Sequence, residues 1–470
     1  MIRWLERQFT CHAPVDDFLV SEKAAGLADG STIVIVGGGL AGSAFARQML
    51  MLCHKEKKRY QIYLINSTGC NYCGGLVTDL ALQTLNTLYG QGIAEDVVLK
   101  KVQTCVYINS EGSFKIRIGI PMMATLRTSR FGFIGMDDSL KTRILEGLDE
   151  EVWPYLKIVE PTLVNKLTPP QETGNGCWRV TTSIIMEDGQ HQAIDCDLLV
   201  LATGFRSLNR PMLKEFSQVT GYVPPPVMES SVTEIDTGSA RFNNIGKDMC
   251  IIDGVIPGAV IALIPKGSGW LTLTSLGKKL TKGDLEQLFR HPVFKQHLDL
   301  DDVGEHLRCH TICPAAIFTG EADNFYGDGW VMLGDLTGYG RVLKDGYFGS
   351  FLGAYLAAHT AVYRGIMRED WRVHYHRPLR GFEIGNRVGM LLFNFNQKLN
   401  GISWFNRFFM AAAQSEGGRD NWGGPIHAAV RGITTGTIPY LLIGVFFICG
   451  LLRHLVFHPI KTWQHIRKPT

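Results

Sequence analysis

One stretch near the start of the chain, Ser31 to Leu50 (STIVIVGGGLAGSAFARQML), restricts the possible folds more than any other. Ile33 to Val36 form an unbroken β-branched run, the composition of a parallel strand buried on both faces. Gly37-Gly38-Gly39-Leu40-Ala41-Gly42 follows at once and satisfies G-x-G-x-x-G, and helix formers come directly after. Gly37 makes the tight turn, Gly39 lets the backbone approach a pyrophosphate, and Gly42 lets the helix pack closely on the strand. The helix N-terminus then offers free N–H groups and positive partial charge to phosphates. The next apolar strand, Gln61 to Ile65, arrives at the spacing of a β-α-β unit, so the fold class is expected to be α/β. At its end stands Asn66, where an acid ordinarily takes the ribose hydroxyls. An amide also hydrogen-bonds a hydroxyl, and Asn66 is the expected partner.

Two later segments repeat the pattern of a strand ending in a small-residue turn. Cys196 to Ser207 (CDLLVLATGFRS) is an apolar strand with Thr203-Gly204 at its end. A hairpin is expected before it, Trp178 to Thr182 against Gln190 to Ile194, turning at Asp188-Gly189. Gly329 to Asp335 (GWVMLGD) leads into LTGYGRVLKDG and a long apolar helix from Tyr347. A helix is also expected over Asp138 to Leu148, with Arg127, Arg130 or Arg143 as a candidate phosphate partner.

The three blocks, GGGLAG, ATGFRS and LGD with its later KDG, resemble the FAD-dependent geranylgeranyl reductase and flavoprotein hydroxylase superfamily across roughly residues 31 to 365. The resemblance implies a glutathione-reductase-like Rossmann FAD domain with an inserted antiparallel substrate sheet and a helical C-terminal extension. It places FAD against Gly37, Gly39, Gly42, Asn66, Thr203, Gly204, Gly334, Asp335, Lys344, Asp345 and Gly346, with Asp335 on the ribityl chain and Lys344 to Gly346 beside the isoalloxazine. In the hydroxylases an Asp-Gly pair at the mid-chain turn serves both FAD and NAD(P)H; Thr203-Gly204 stands here, which leaves the electron donor open. The expected division is a lead (1–30), a discontinuous FAD domain (31–104, 178–210 and 326–370), substrate segments (105–177 and 211–325) and a helical, membrane-associating region (371–470).

Asn71-Tyr72-Cys73-Gly74-Gly75-Leu76 is similar to the Cys-Gly loop that passes close to the flavin in geranylgeranyl reductases, and this makes Cys73 and Tyr72 the catalytic candidates. Ile261 to Gly277 (IALIPKGSGWLTLTSLG) resembles the substrate-domain stretch of that family in part; its residues alone read equally as a strand pair. Cys70-x-x-Cys73 and Cys309-x-x-x-Cys313 are candidates for an iron–sulfur cluster or zinc, for a redox-active disulfide, or for ordinary small buried residues.

Composition narrows the partners. A formal charge of +3 is too weak to argue for nucleic acid, and none is expected. The first thirty residues lack a charged-then-apolar signal pattern, and 11 cysteines, an odd number, read as reduced thiols, so the expected place is cytoplasmic. Val388 to Phe395 and Trp404 to Ala413 are dense in large apolar side chains. Ile438 to Leu452 carries no charge, and basic residues follow. As a helix it reaches roughly 22 Å against a hydrocarbon core of ~30 Å. It reads as an in-plane anchor, a short strained span, or a core or interface helix. The expected protein is thus peripheral or monotopic at the inner face of a membrane, taking a lipid-like substrate and electrons from a separate donor. The leading function is an FAD-dependent reductase of carbon–carbon double bonds in an isoprenoid or related lipid. The alternatives are an FAD monooxygenase or halogenase, and a flavin electron carrier to membrane quinone.

Overall fold

The computed structural model describes residues 26–66, 74–92, 95–125, 136–160, 162–184, 191–238, 248–267, 269–298, 300, 302–308, 310–342, 346–417 and 422–458. The first third of the chain runs β1 (Thr32–Val36), α1 (Leu40–Glu56), β2 (Gln61–Ile65), β3 (Leu76–Val77), α2 (Asp79–Tyr89), β4 (Val98–Asn109), β5 (Gly112–Thr125), α3 (Met136–Thr142) and β6 (Leu156–Val159). The middle holds β7 (Thr162–Thr168), β8 (Trp178–Ile184), β9 (His191–Cys196), β10 (Leu198–Leu201), α4 (Pro211–Thr220), β11 (Val227–Asp236), β12 (Met249–Asp253), β13 (Val260–Pro265) and β14 (Trp270–Leu276). Then follow α5 (Lys282–Arg290), β15 (Cys313–Phe318), β16 (Tyr326–Gly327), β17 (Trp330–Met332), α6 (Gly346–Tyr363), α7 (Gly381–Asn400), α8 (Ser403–Ser415), α9 (Pro425–Thr435) and α10 (Tyr440–Phe457).

The β-branched run of β1 sits at the centre of a sheet ordered β16-β17-β10-β1-β2-β6, parallel except for β16. Ile33, Val34 and Ile35 are wholly buried because both faces are covered, as a parallel sheet requires. α1 and α6 pack against each other there. α6 is apolar around its whole circumference and buried on nearly every side, which marks it as a core helix. The expected hairpin forms as β8 and β9, extended by β7 into a three-stranded sheet.

A second sheet, ordered β15-β11-β14-β13-β12-β4-β5-β3, is antiparallel except between β12 and β4. The stretch Ile261–Gly277 supplies its β13–β14 pair. Segment 105–177 divides between the sheets: β5 belongs to the second, whereas β6 returns as the edge of the first. The helix expected over Asp138–Leu148 is displaced and shorter, Met136–Thr142; turns replace helix beyond Thr142.

The C-terminal helices close one face of the second sheet. Phe405, Phe408, Phe409 and Met410 of α8 pack with Tyr107, Phe114 and Ile116. Phe409 meets the Tyr107 ring edge-on at 5.5 Å, a favoured aromatic geometry. The C-terminal end of α7 is held by one buried carboxylate: Asp253, at the end of β12, accepts from Tyr107 Oη (2.8 Å), Asn396 Nδ2 (2.7 Å) and Asn400 Nδ2 (2.5 Å). Burial pushes this carboxyl up, against the hydrogen bonds that hold it down. α10 runs to Phe457 rather than Leu452, 18 residues with a mean hydropathy of 2.1, and is the one helix among the described residues long and apolar enough to cross a membrane.

Asp253→Ala strips one buried and two half-buried donors of their acceptor, and is expected to cost about 2–4 kcal/mol. Urea unfolding checks this; an unchanged midpoint would show that α7 docks without the contact.

Candidate functional site

The site begins where β1 stops. Gly37 has φ +111°, and its N–H donates to Ile65 O (2.8 Å), tying the turn to β2. A side chain at Gly37 would collide with the Ala202 carbonyl, and one at Gly42 would overlap the carbonyl oxygen of Gly37. Gly39 is different. It is extended (φ −74°, ψ −166°), caps α1 without a side-chain bond, and has nothing within 4 Å of where a side chain would start. The first turn of α1 carries no acid. A helix end with orphan N–H groups and open space beside a glycine fits a phosphate or pyrophosphate.

The ends of β10 and β17 lie next to this corner. Gly204 takes φ +67°, and the following Phe205 N–H donates to Asp335 Oδ2 (3.2 Å). Thr203 Oγ1 donates to Ser207 Oγ (2.6 Å), which in turn donates to Gly204 O (2.8 Å), so the turn is held from within. Gly334 has φ +62°, and a side chain there would press on Ala41 of α1. Asp335 lies deep among protein atoms, which pushes its carboxyl up against the Phe205 hydrogen bond, yet it stays open to solvent. That combination describes a carboxylate on the floor of a cleft. It leaves acceptor capacity for the hydroxyls of a polyol chain.

Two further contact sets hold the described end of the Cys-Gly loop and the loop after Asp335. Lys266, buried at the end of β13, donates to Gly74 O (2.8 Å), Gly75 O (2.7 Å) and Thr125 O (2.6 Å). Its ammonium fastens the described end of the Cys-Gly loop to the end of β5. On the other side, Val342 N–H donates to Asn386 Oδ1 (2.8 Å), and Asn386 Nδ2 donates to Gly340 O (2.9 Å). Tyr440 Oη donates to Val342 O, and Arg341 Nη1 donates to Gly436 O (2.6 Å). The loop after Asp335 is therefore clamped by α7 and by the start of α10.

Gly37, Gly39, Gly42, Asn66, Thr203, Gly204, Gly334 and Asp335 all gather at the carboxyl edge of the parallel sheet, and Gly346 opens α6. Tyr72, Cys73, Cys70, Cys309, Lys344, Asp345, Arg127 and Arg130 lie outside the described residues. Arg143 donates to Gly92 O (3.1 Å) and pairs with Glu146. Cys313 stands on β15, the edge strand of the second sheet. Sequence reading missed Glu160 and Lys141. Asn66 Nδ2 donates to Glu160 Oε2 (2.9 Å), and Lys141 Nζ donates to both carboxylate oxygens (3.0 and 2.8 Å). The signal available was the tripeptide Ile158-Val159-Glu160, an apolar pair ending in an acid.

No protein-family model matches the chain, and no curated protein matches its sequence. Among solved structures it is similar to a flavoprotein/dehydrogenase from Cytophaga hutchinsonii, with a TM-score of 0.56 and 12% identity over 90% of this chain and 100% of that one. It is similar to p-nitrophenol 4-monooxygenase from Pseudomonas putida, with a TM-score of 0.52 and 12% identity over 90% and 98%. A geranylgeranyl bacteriochlorophyll reductase-like protein from Thermoplasma acidophilum gives 0.51 and 11% over 93% and 98%. The chain has the fold that these flavoproteins share.

The two glycines separate fold from ligand. Gly42→Ala is expected to destabilise the chain by about 3 kcal/mol or more, since overpacking against backbone cannot relax easily. Gly39→Ala is expected to keep the melting temperature while weakening ADP binding about tenfold or more, by obstructing the approach of phosphate. Calorimetric titration with ADP, beside thermal melts, checks both; a Gly39→Ala chain that binds ADP normally would remove Gly39 from the site.

Proposed function

We propose that the protein is an FAD-dependent oxidoreductase that reduces carbon–carbon double bonds of an isoprenoid or related lipid at the inner surface of a membrane. The observation that carries the cofactor reading is the convergence of the α1 N-terminus, the Thr203–Phe205 turn and the Asp335 carboxylate on one cleft edge. The amides at the start of α1 would hold the pyrophosphate, and Asp335 would accept from the ribityl hydroxyls. When bound, FAD supplies the redox chemistry, a hydride from its reduced ring. In this proposal Cys73 shapes the pocket over that ring, Tyr72 gives the proton to the neighbouring carbon, and a separate two-electron donor restores the reduced state.

The clamp on Gly340–Val342 supports the lipid half of the reading. The residues just before Lys344–Gly346, expected beside the flavin ring, are bonded to α7 and α10, and both helices carry large apolar side chains on their outer faces. On α10 these are Leu441, Leu442, Val445, Ile448, Leu452, Leu455, Val456 and Phe457; on α7 they are Ile384, Leu391 and Phe395. The inner face of α10 (Tyr440, Ile443, Gly450, His454) packs within the helical region, so the helix suits lying in one leaflet better than crossing two. Arg380, Arg387, Lys398 and Arg453 are exposed on these helices and suit an anionic leaflet. An apolar substrate would then reach the flavin without crossing water.

The chemistry is tested on protein purified and reduced without oxygen, mixed with a polyprenyl lipid. The reading expects flavin bands, a product enriched in hydrogen, and slow reoxidation by air. Fast reaction with oxygen and an oxygenated or halogenated product would replace it by a monooxygenase or halogenase. Iron in the same sample would favour an electron carrier to quinone.

The membrane half is tested by replacing Val445, Ile448 and Leu452 together with Asp. Each exposed apolar side chain contributes about 1.5–3 kcal/mol on insertion, so affinity for anionic vesicles should fall more than a hundredfold while flavin content is kept. Undiminished co-sedimentation would count against this face.

A further inference from the structure

We infer that Glu160 holds the ribose hydroxyls of the dinucleotide, one strand away from the place where an acid ordinarily performs that duty. The inference rests on the dinucleotide reading of the cleft. In parallel register Ile65 pairs with Val159, so Asn66 and Glu160 leave the sheet side by side at the ends of β2 and β6. Neighbouring strands lie about 4.8 Å apart, and this is the sideways shift of the carboxylate.

Asn66, the residue at the ordinary position, is built into the scaffold. Its backbone N–H donates to Val159 O (3.0 Å) and its carbonyl accepts from Thr162 N–H (3.0 Å). Its side-chain oxygen accepts from Gly38 N–H (3.1 Å), which fixes the glycine turn, and its side-chain N–H donates to Glu160. The amide thus bridges the phosphate corner to a carboxylate and has little left to offer a ligand.

Glu160 has what Asn66 lacks. A carboxylate accepts about four hydrogen bonds, and three are supplied, one by Asn66 and two by Lys141. Lys141 is largely covered, whereas the Glu160 side chain keeps 34% of its exposure, so a ligand can reach it. Burial would raise its pKa, but hydrogen bonds from Lys141 and Asn66 outweigh that and hold the carboxyl below its ordinary range. A ribose diol presents O–H donors, and an ionised acid held rigidly at the right edge, with one acceptor position left, suits one of them.

The test is calorimetric titration of the flavin-free full-length chain with ADP and with 2′,3′-dideoxy-ADP. The wild type is expected to prefer ADP about tenfold, the worth of one charge-assisted hydrogen bond. Glu160→Gln and Glu160→Ala should lose about tenfold for ADP and nothing for the dideoxy nucleotide, so that the preference disappears. Unchanged dideoxy-ADP binding also shows that the variant site is intact. Equal losses for both nucleotides would make Glu160 a structural tether for Lys141 and overturn the assignment, as would a wild type without preference. A wild-type chain that binds neither nucleotide and carries no flavin would overturn the dinucleotide reading itself.

Discussion

Between the carbonyl oxygen of Gly37 and the α-carbon of Gly42 there is no room for a methyl group. This approach draws the start of α1 down onto the end of β1, and the rest of the site is arranged around it. With α1 held that low, Ala41 reaches Gly334 at the end of β17, while the turn at Gly37 abuts Ala202 at the end of β10. Three strand ends far apart in sequence are thereby brought level. Glycine is required at Gly37 and Gly42 for packing, whereas Gly39 has open space around it, so packing does not account for a glycine there.

A second dependence joins the C-terminal helices to the cleft. Asn386 is 2% exposed and has both halves of its amide engaged by the Gly340–Val342 loop. Arg341 stacks 4.2 Å over the Tyr440 ring while donating to the turn before α10. Asp253 ties the far end of α7 to the second sheet. α7 is therefore fastened at both ends, to the loop after Asp335 and to the second sheet, and α10 is fastened to the same loop at its start.

The parts of the fold legible in the sequence were those fixed locally. The β-branched run of β1, the glycine spacing and the apolar strand before Asp335 each carry their own signal, because buried parallel strands and tight turns restrict residue type at every position. β6 left no such trace. Its four residues, Leu156–Val159, are all half-buried or exposed at the sheet edge, so no periodicity marks them, and Glu160 was hidden with the strand that places it. The end of α10 was hidden for another reason. Arg453 and His454 look like a stop after an apolar run, yet His454 is buried and bonds to Ser415 Oγ (2.9 Å), and Arg453 lies in the field of Glu416. Tertiary partners made those polar residues compatible with helix.

The strand order gives the cleft a length as well as a chemistry. Reading β17-β10-β1-β2-β6 along the carboxyl edge, Asp335 stands at one end, the amide-rich corner of Gly37–Gly39 in the middle, and Glu160 at the other end. Four strand spacings of about 4.8 Å, roughly 19 Å, separate the strands that carry the two acids, whose side chains lean inward from there, Asp335 onto the Phe205 amide and Glu160 onto Asn66. A mononucleotide would use the corner and one acid and leave the other without a partner. A ligand with a hydroxylated chain on each side of a pyrophosphate would use all three. Anion-binding amides flanked at comparable distances by two carboxylates form a pattern of charge that selects for such a molecule, because each acid would repel a phosphate placed over it and each accepts from a sugar alcohol. The order of the strands thus favours an extended dinucleotide, and a ribose acid at β6, as proposed for Glu160, would lengthen the cleft by one strand spacing without altering that logic.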